Sequence, residues 1–299
     1  LANGWSGDGK TVKGKEQGVK IRFFSIPIAM LGLFLGAHAT LHAAPKAELW
    51  ARWQKHDAAS KQKIDHSSWD RFLKLFVVAP HPSGIHRVRY RAVAPADYGG
   101  LKDYLKSMQA LAISRYNRDE QRAYWINLYN ALTVGLVLSR YPVASIRDIN
   151  ISPGLFQRGP WGAKLATVEG EKLSLDDIEH RILRPIWKDK RIHYAVNCAS
   201  LGCPNLQPAA YTAENTAVRL ERGAREFINH PRGVSVQKGR LHVSSIYVWF
   251  QEDFGGDPGD LMGHWLEYAD SPLAQALQPY SGGLSHDYDW RLNGADEKP

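Results

Sequence analysis

At 299 residues, with 44% hydrophobic and 23% charged side chains, the chain has the composition of an ordinary globular protein and not of a disordered one. Its formal charge of +8 divides into +3 on residues 1–43, where five Lys/Arg oppose two Asp/Glu, and +5 on the remainder. A surplus of that size reads as a mildly basic solvated surface, and no basic patch interleaved with aromatics accompanies it, so nucleic acid is not an expected partner.

Residues 1–18 are polar, Gly- and Lys-rich and without periodicity, which reads as a disordered or extraneous extension. From Val19 the pattern changes, with Lys20 and Arg22 preceding FFSIPIAMLGLFLGAHA, a run almost free of charge. This is the layout of a secretory signal peptide over 19–43, with a small-x-small cleavage site at Ala37-His38-Ala39 and an apolar core short for a membrane span. The alternative is an uncleaved N-terminal anchor, the one expected route to a membrane. Both readings place the folded part, 44–299, in the periplasm or outside the cell. No repeat, low-complexity tract or linker divides it, so a single globular domain is expected.

Within 46–76, Leu49, Trp50, Trp53, Trp69, Phe72, Leu73 and Phe76 recur at helical steps. The alternation of VRYRAV suggests a strand over 87–93, and Pro95-Ala96-Asp97 starts a helix carrying Tyr98, Leu101, Tyr104, Leu105 and Met108. Asn117-Arg118-Asp119-Glu120 then opens the longest apolar helix, ended by Pro142. Its apolar groups lie all round, which predicts a central buried helix over 121–139. Asn127 and Asn130 share one face of it and must be hydrogen-bonded, either as clamps on neighbouring backbone or as polar site groups. Residues 165–173 read as a hairpin. Ser174 to Asp177 supplies a capping-box start for the helix LDDIEHRILRPIW, on which the adjacent Glu179 and His180 would diverge.

The stretch RIHYAVNCASLGCPNL, 191–206, holds both cysteines, Cys198 and Cys203, with His193 and Asn197. Its alternating lead-in predicts a short buried strand running into a turn, a common place for reactive side chains. Beyond it come a helix over 211–230 beginning at Tyr211, a hairpin over 234–248 centred on Gly239, a short helix over 261–268, and an extended C-terminal SHDYDWRLN that packs back on the body. The fold class is α+β, with the central helix packed against a mainly antiparallel sheet that includes 191–197 and 241–248.

Four segments, YWINLYNAL (124–132), LSLDDIEHRILRP (173–185), RIHYAVNCASLGCPNL (191–206) and VSSIYVWFQEDFGG (243–256), together resemble the bacterial family called domain of unknown function 547. The resemblance covers about residues 115–256, and the terminal YDWRLN is similar to the usual ending of that family. Leu201 departs from the small or polar residue of many relatives. No activity is implied by the resemblance.

Three chemistries compete for the cysteine pair. In an oxidising compartment Cys198 and Cys203, with four residues between them, are a candidate disulfide. Alternatively Cys198 is a nucleophile, with His193 or His180 as base and Asn130, Asn127 or Glu179 orienting the ring. The third reading, a zinc site, would need closer pair spacing. There is no Gly-x-Ser-x-Gly elbow, no Gly-x-Gly-x-x-Gly after a strand and no phosphate loop, so no cofactor and no metal are expected. Two functions therefore stand at this point. One is an exported cysteine-dependent amide or ester hydrolase or transferase of papain-like or transglutaminase-like logic, with Cys198, His193, His180 and Asn130 catalytic. The other is a non-catalytic periplasmic binding or envelope-interaction module stapled by Cys198–Cys203. In both, Asn127, Glu179, Asn197 and Tyr211 are candidate binding groups for a small-molecule or peptide-like ligand.

Overall fold

Asn117 sits in extended backbone, and its side chain accepts the amides of Asp119 and Glu120, a cap that starts helix α3 (Arg118–Arg140) where the sequence places it. In the computed structural model, which describes residues 45–154 and 158–295, nearly every side chain of α3 from Glu120 to Gly135 is buried. The extension 1–18 and the signal-like residues 19–43 lie outside the described residues. The elements before α3 are α1 (Ser67–Phe76), the two-residue strands β1 (Val77–Val78) and β2 (Arg87–Val88), and α2 (Pro95–Gln109). After it come β3 (Ala166–Val168), β4 (Glu171–Leu173), a π-helical segment Asp177–Leu183 that continues into α4 (Arg184–Trp187), and a 3-10 helix Lys190–Tyr194. The rest is α5 (Thr216–Ile228), β5 (Val234–Gln237), β6 (Arg240–Ser244), α6 (Ser245–Trp249), α7 (Pro258–Tyr268), α8 (Ser271–Leu277) and β7 (Leu284–Asp287).

The architecture is α+β, but the expected single sheet beneath the central helix is not present. Strands pair as β1-β2, β3-β4 and β5-β6-β7, the first two antiparallel; in the third, β6 runs antiparallel to β5 and parallel to β7. A 23-residue helix is about 35 Å long, whereas strands of at most five residues span only about 17 Å, so these sheets cannot cover it. Helices do so instead: α2, the π-helical segment and α5 pack on α3. The Tyr124 hydroxyl ties α3 to α2 by donating to the Met108 carbonyl at 3.0 Å.

Three local expectations also change. The aromatic run of 46–76 divides into a 3-10 turn Ala51–Gln54 and α1, with irregular chain between them. The strand expected over 87–93 is reduced to β2, followed by a 3-10 turn Tyr90–Ala92. The segment 191–197, expected as a strand, is the 3-10 helix, started by the Asp189 carboxylate accepting the Arg191 amide at 3.0 Å. Its apolar residues serve two cores at once. Ile192, Ala195 and Val196 join the large cluster around α3, while Tyr194 belongs to a second cluster with Phe227, Val243, Tyr247, Phe254 and Trp265. A segment buried from two sides needs apolar groups all round, and in so short a run that pattern is not distinct from a strand. Among the described residues no helix is long and apolar enough to cross a membrane.

Candidate functional site

The loop that carries the cysteines is held from three directions. From α3, the Asn130 amide donates to the Ala195 carbonyl at 2.9 Å and its oxygen accepts the Asn197 amide at 2.8 Å. Within the loop, Asn197 donates to the Pro204 carbonyl at 2.7 Å and accepts the Ala199 amide at 2.9 Å. Ala199 takes a left-handed conformation with φ of 58°. From the C-terminal segment, Leu201 and Asn293 make backbone hydrogen bonds with Arg291 and Ala199. Gly202 faces the Asp289 backbone so closely that a Cβ there would lie 2.8 Å from its nitrogen, which is why the position is glycine. Arg232 completes the frame by donating to the Leu201 carbonyl and the Asn205 side chain.

Inside this frame both cysteines are free thiols, so the candidate Cys198–Cys203 disulfide is not formed in this structure. The left-handed turn at Ala199 brings the Cys203 sulfur back over the Cys198 backbone, where it accepts the Cys198 amide at 3.0 Å. Cys198 is half-buried, Cys203 buried. Two hydroxyls also touch the Cys198 sulfur, Ser200 Oγ at 3.3 Å and Tyr288 at 3.0 Å, and they bond to each other at 3.1 Å. Hydrogen bonding from Cys203 favours the Cys198 thiolate most, burial opposes it, and Ser200 and Tyr288 add to the stabilisation. The net effect draws the Cys198 pKa down to about 7. Burial and the neighbouring Cys198 push the Cys203 thiol well up.

Behind the loop lies a buried cluster of charged and polar groups, built on the π-helical segment. Ser174 and Asp177 cap it reciprocally, Asp177 N donating to Ser174 Oγ at 3.1 Å and Ser174 N to the Asp177 carboxylate at 2.9 Å. Pro185 has no amide to offer the Arg181 carbonyl one turn back. That carbonyl and its neighbour on His180 instead accept the amides of Trp50 and Glu48, each at 3.0 Å, and the Arg184 amide reaches the wider-spaced carbonyl of Glu179. The wider turn corrects the expectation that Glu179 and His180 diverge: both are buried, the Glu179 carboxylate approaches His193, and the His180 ring lies with that of His193 against Phe250.

Asp253 is the hub of this cluster. Its carboxylate accepts from His193 Nε2 at 2.7 Å and from Arg184 Nε at 2.5 Å, while Arg184 Nη1 lies 2.9 Å from His180 Nδ1. Phe250 stacks on His193 with centroids 4.5 Å apart and carries the Arg184 guanidinium 4.7 Å over its ring. Glu179 Oε1 stands 3.9 Å from His193 Nδ1 and 4.0 Å from His180 Nδ1, ion-pair distances and not hydrogen bonds. Burial raises the Glu179 pKa to about 7 against the opposing pull of Arg184 and a hydrogen bond from Tyr129, with nearby Asp176 and Cys198 adding to the rise. Burial, with Arg184 and His193, lowers His180 to about 3, and burial outweighs Asp253 to lower His193, so both imidazoles are neutral at pH 7. Burial works against ionised Asp253, yet hydrogen bonds from His193 and Arg184 hold it well below the usual carboxylate range.

The sequence-derived residues therefore fall into three places. Cys198 and Asn197 form the loop, Asn130 holds it, and Glu179, His180 and His193 lie in the cluster behind. Glu179 and Tyr129 are both close enough to Cys198 to feel its charge. No histidine is among the hydrogen-bond partners of Cys198 in the described residues. Asn127 and Tyr211 are elsewhere: Asn127 clamps the Tyr211 backbone through both its amide and its oxygen, at 2.8 and 3.0 Å. The groups that sequence reasoning passed over are Asp253, Arg184, Tyr129, Ser200 and Tyr288. Asp253 and Arg184 stand inside segments singled out for their resemblance, and Tyr288 in the C-terminal run, but nothing local marked them as partners. An open pocket of about 380 Å³, lined by His56, Ser60, Lys61, Lys63, Asn117 and Glu120 among others, contains none of these residues. Among the described residues no group of three or more His, Cys, Asp or Glu side chains is arranged to hold a metal ion.

Fold and site together define an α+β protein with a framed thiol pair set against a buried His-Glu-Asp-Arg cluster. Comparison with protein families matches residues 113–228 to the family described as "Protein of unknown function, DUF547", and that segment is similar to the family. The match covers α3, the π-helical segment, the cysteine loop and α5. No curated protein and no solved structure matches the chain.

Proposed function

We propose that the protein is a cysteine-dependent hydrolase or acyl transferase acting on an amide or ester, with Cys198 as nucleophile. The observation that carries this reading is the setting of Cys198, a half-buried residue with the hydroxyls of Ser200 and Tyr288 on its sulfur and the Cys203 sulfur on its backbone amide. A thiol drawn down to about 7 is roughly half ionised at neutral pH, against about 1% for one at 9, so it needs no separate base to be reactive. The thiolate attacks the carbonyl carbon of the substrate to give a tetrahedral oxyanion. The bond to nitrogen or oxygen then breaks, the leaving group takes a proton from water or the adjacent hydroxyls, and a thioester remains on Cys198. Water releases an acid in the hydrolase and an amine or alcohol takes the acyl group in the transferase. Of the residues grouped with Cys198 on sequence grounds, Asn130 acts in this reading as a positioning residue through the loop backbone, and His193 and His180 belong to the buried cluster behind it. The substrate is a small-molecule or peptide-like acyl donor, met outside the cytoplasm if residues 19–43 act as an export signal.

The test measures alkylation of Cys198 by iodoacetamide against pH, together with mass spectrometry after incubation with a p-nitrophenyl ester. The expected results are a rate midpoint about two pH units below an ordinary thiol and a covalent acyl group on Cys198 that Cys198→Ala loses without loss of fold. An alkylation midpoint near 9 with no acyl adduct overturns the proposal.

A further inference from the structure

We propose that Cys198 and Cys203 are also a thiol–disulfide exchange pair, Cys198 attacking an external low-molecular-weight disulfide and Cys203 resolving the mixed disulfide. This goes beyond acyl transfer, which gives Cys203 no covalent role, and does not depend on it. Three observations carry it. The two thiols are unequal in access, Cys198 half-buried and Cys203 buried, so an external disulfide meets Cys198 first. The sulfur of Cys203 already sits on the Cys198 backbone, 3.0 Å from its amide, so it is placed beside a disulfide formed on Cys198. The loop that must accommodate the bond is held at Asn197, Ala199, Leu201 and Asn205 by bonds from outside the cysteines, so the frame persists in both redox states.

The atoms balance as follows. The Cys198 thiolate attacks one sulfur of the external disulfide; the S–S bond breaks and the first leaving thiolate takes up a proton. Cys203 gives up its proton to solvent, its sulfur attacks Cys198 Sγ, and the second external thiolate departs. The protein dithiol is oxidised, and one disulfide is reduced to two thiols. An accessible thiolate backed by a less accessible thiol is the arrangement such chemistry requires, because the buried partner reacts only within the mixed disulfide.

The experiment treats the full chain with oxidised glutathione and follows it by acid quenching, intact mass and peptide mapping. Wild type is expected to end as the Cys198–Cys203 disulfide, with two glutathione thiols released per chain, and to recover both thiols in dithiothreitol. Cys203→Ser, which keeps a hydrogen-bonding group beside the Cys198 amide, is expected to stop with glutathione on Cys198. Cys198→Ala is expected to leave Cys203 at least tenfold less reactive than Cys198 in wild type. Wild type that accumulates glutathione on Cys198 while Cys203 stays free overturns the proposal, as does wild type that does not react. The wild-type result stands without any variant, so a misfolded variant cannot mask it. Acylation of Cys198 by the ester probe without disulfide formation would refute this pair and leave acyl transfer standing; disulfide formation without acylation would do the reverse.

Discussion

Replacing Asn130 by alanine tests whether α3 holds the cysteine loop through one buried side chain. Asn130 is 2% exposed, and its two hydrogen bonds, 2.9 Å to the Ala195 carbonyl and 2.8 Å from the Asn197 amide, bracket the end of the 3-10 helix. Truncation leaves both backbone groups without a partner in a buried setting, at about 1–3 kcal/mol each. The space vacated adds a further cost, offset in part by the better helix propensity of alanine, about 0.5 kcal/mol. A total near 4 kcal/mol is expected, read as a lowered urea midpoint with unchanged slope. Amide exchange supplies the local signature: the Asn197 amide should lose protection more than amides of α5, and alkylation of Cys198 should change with it. A loss below about 1 kcal/mol with Asn197 protection retained would refute the clamp and return Asn130 to a direct role in chemistry.

Two further predictions follow from the same framework. Glu179→Gln removes a carboxyl whose pKa burial raises to about 7. A raised carboxyl stabilises the fold fully below its unfolded value of about 4.5 and loses that contribution as pH rises through 7, so the variant should gain on wild type by roughly 3 kcal/mol between pH 4.5 and 8 in urea titrations. A pH-independent difference would show that Glu179 is not held neutral by burial. Gly223→Ala places a Cβ 3.1 Å from the Tyr194 carbonyl and 3.3 Å from the Tyr194 Cβ, where α5 crosses the 3-10 helix. The contact should cost more than the roughly 1 kcal/mol of helix propensity gained, and lower the melting temperature; a raised melting temperature would mean that α5 shifts without penalty.

The buried central helix was legible because its signals are local and agree: a capping Asn117, acidic residues in the first turn, apolar groups all round and a proline just past the end. The same holds for the hairpin β3-β4, for α2, α5 and α7, and for the cysteine stretch as the place where reactive groups gather. The 3-10 helix has the sequence pattern of a strand because its apolar side chains are shared between two cores, and a short buried run carries no period that separates the two states. Asn127 and Asn130 were legible as buried amides in need of partners; which backbone they clamp depends on segments 84 and 65 residues away.

The amino-acid sequence by itself determined the helical framework and the identity of the chemical groups, since caps, periodicity and side-chain chemistry are properties of neighbouring residues. Only the tertiary structure decided which groups meet. The wide turn before Pro185 buries Glu179 and His180 together with the Glu179 carboxylate beside His193, Asp253 arrives from 60 residues downstream to bind that histidine, and Tyr288 from 90 residues downstream to touch the Cys198 sulfur. The closeness of the two cysteines was likewise decided by the tertiary structure: the left-handed turn at Ala199 directs the Cys203 sulfur onto the Cys198 amide. Ionisation follows from those meetings, because burial and hydrogen-bond partners, not residue type, set the charge that each group carries.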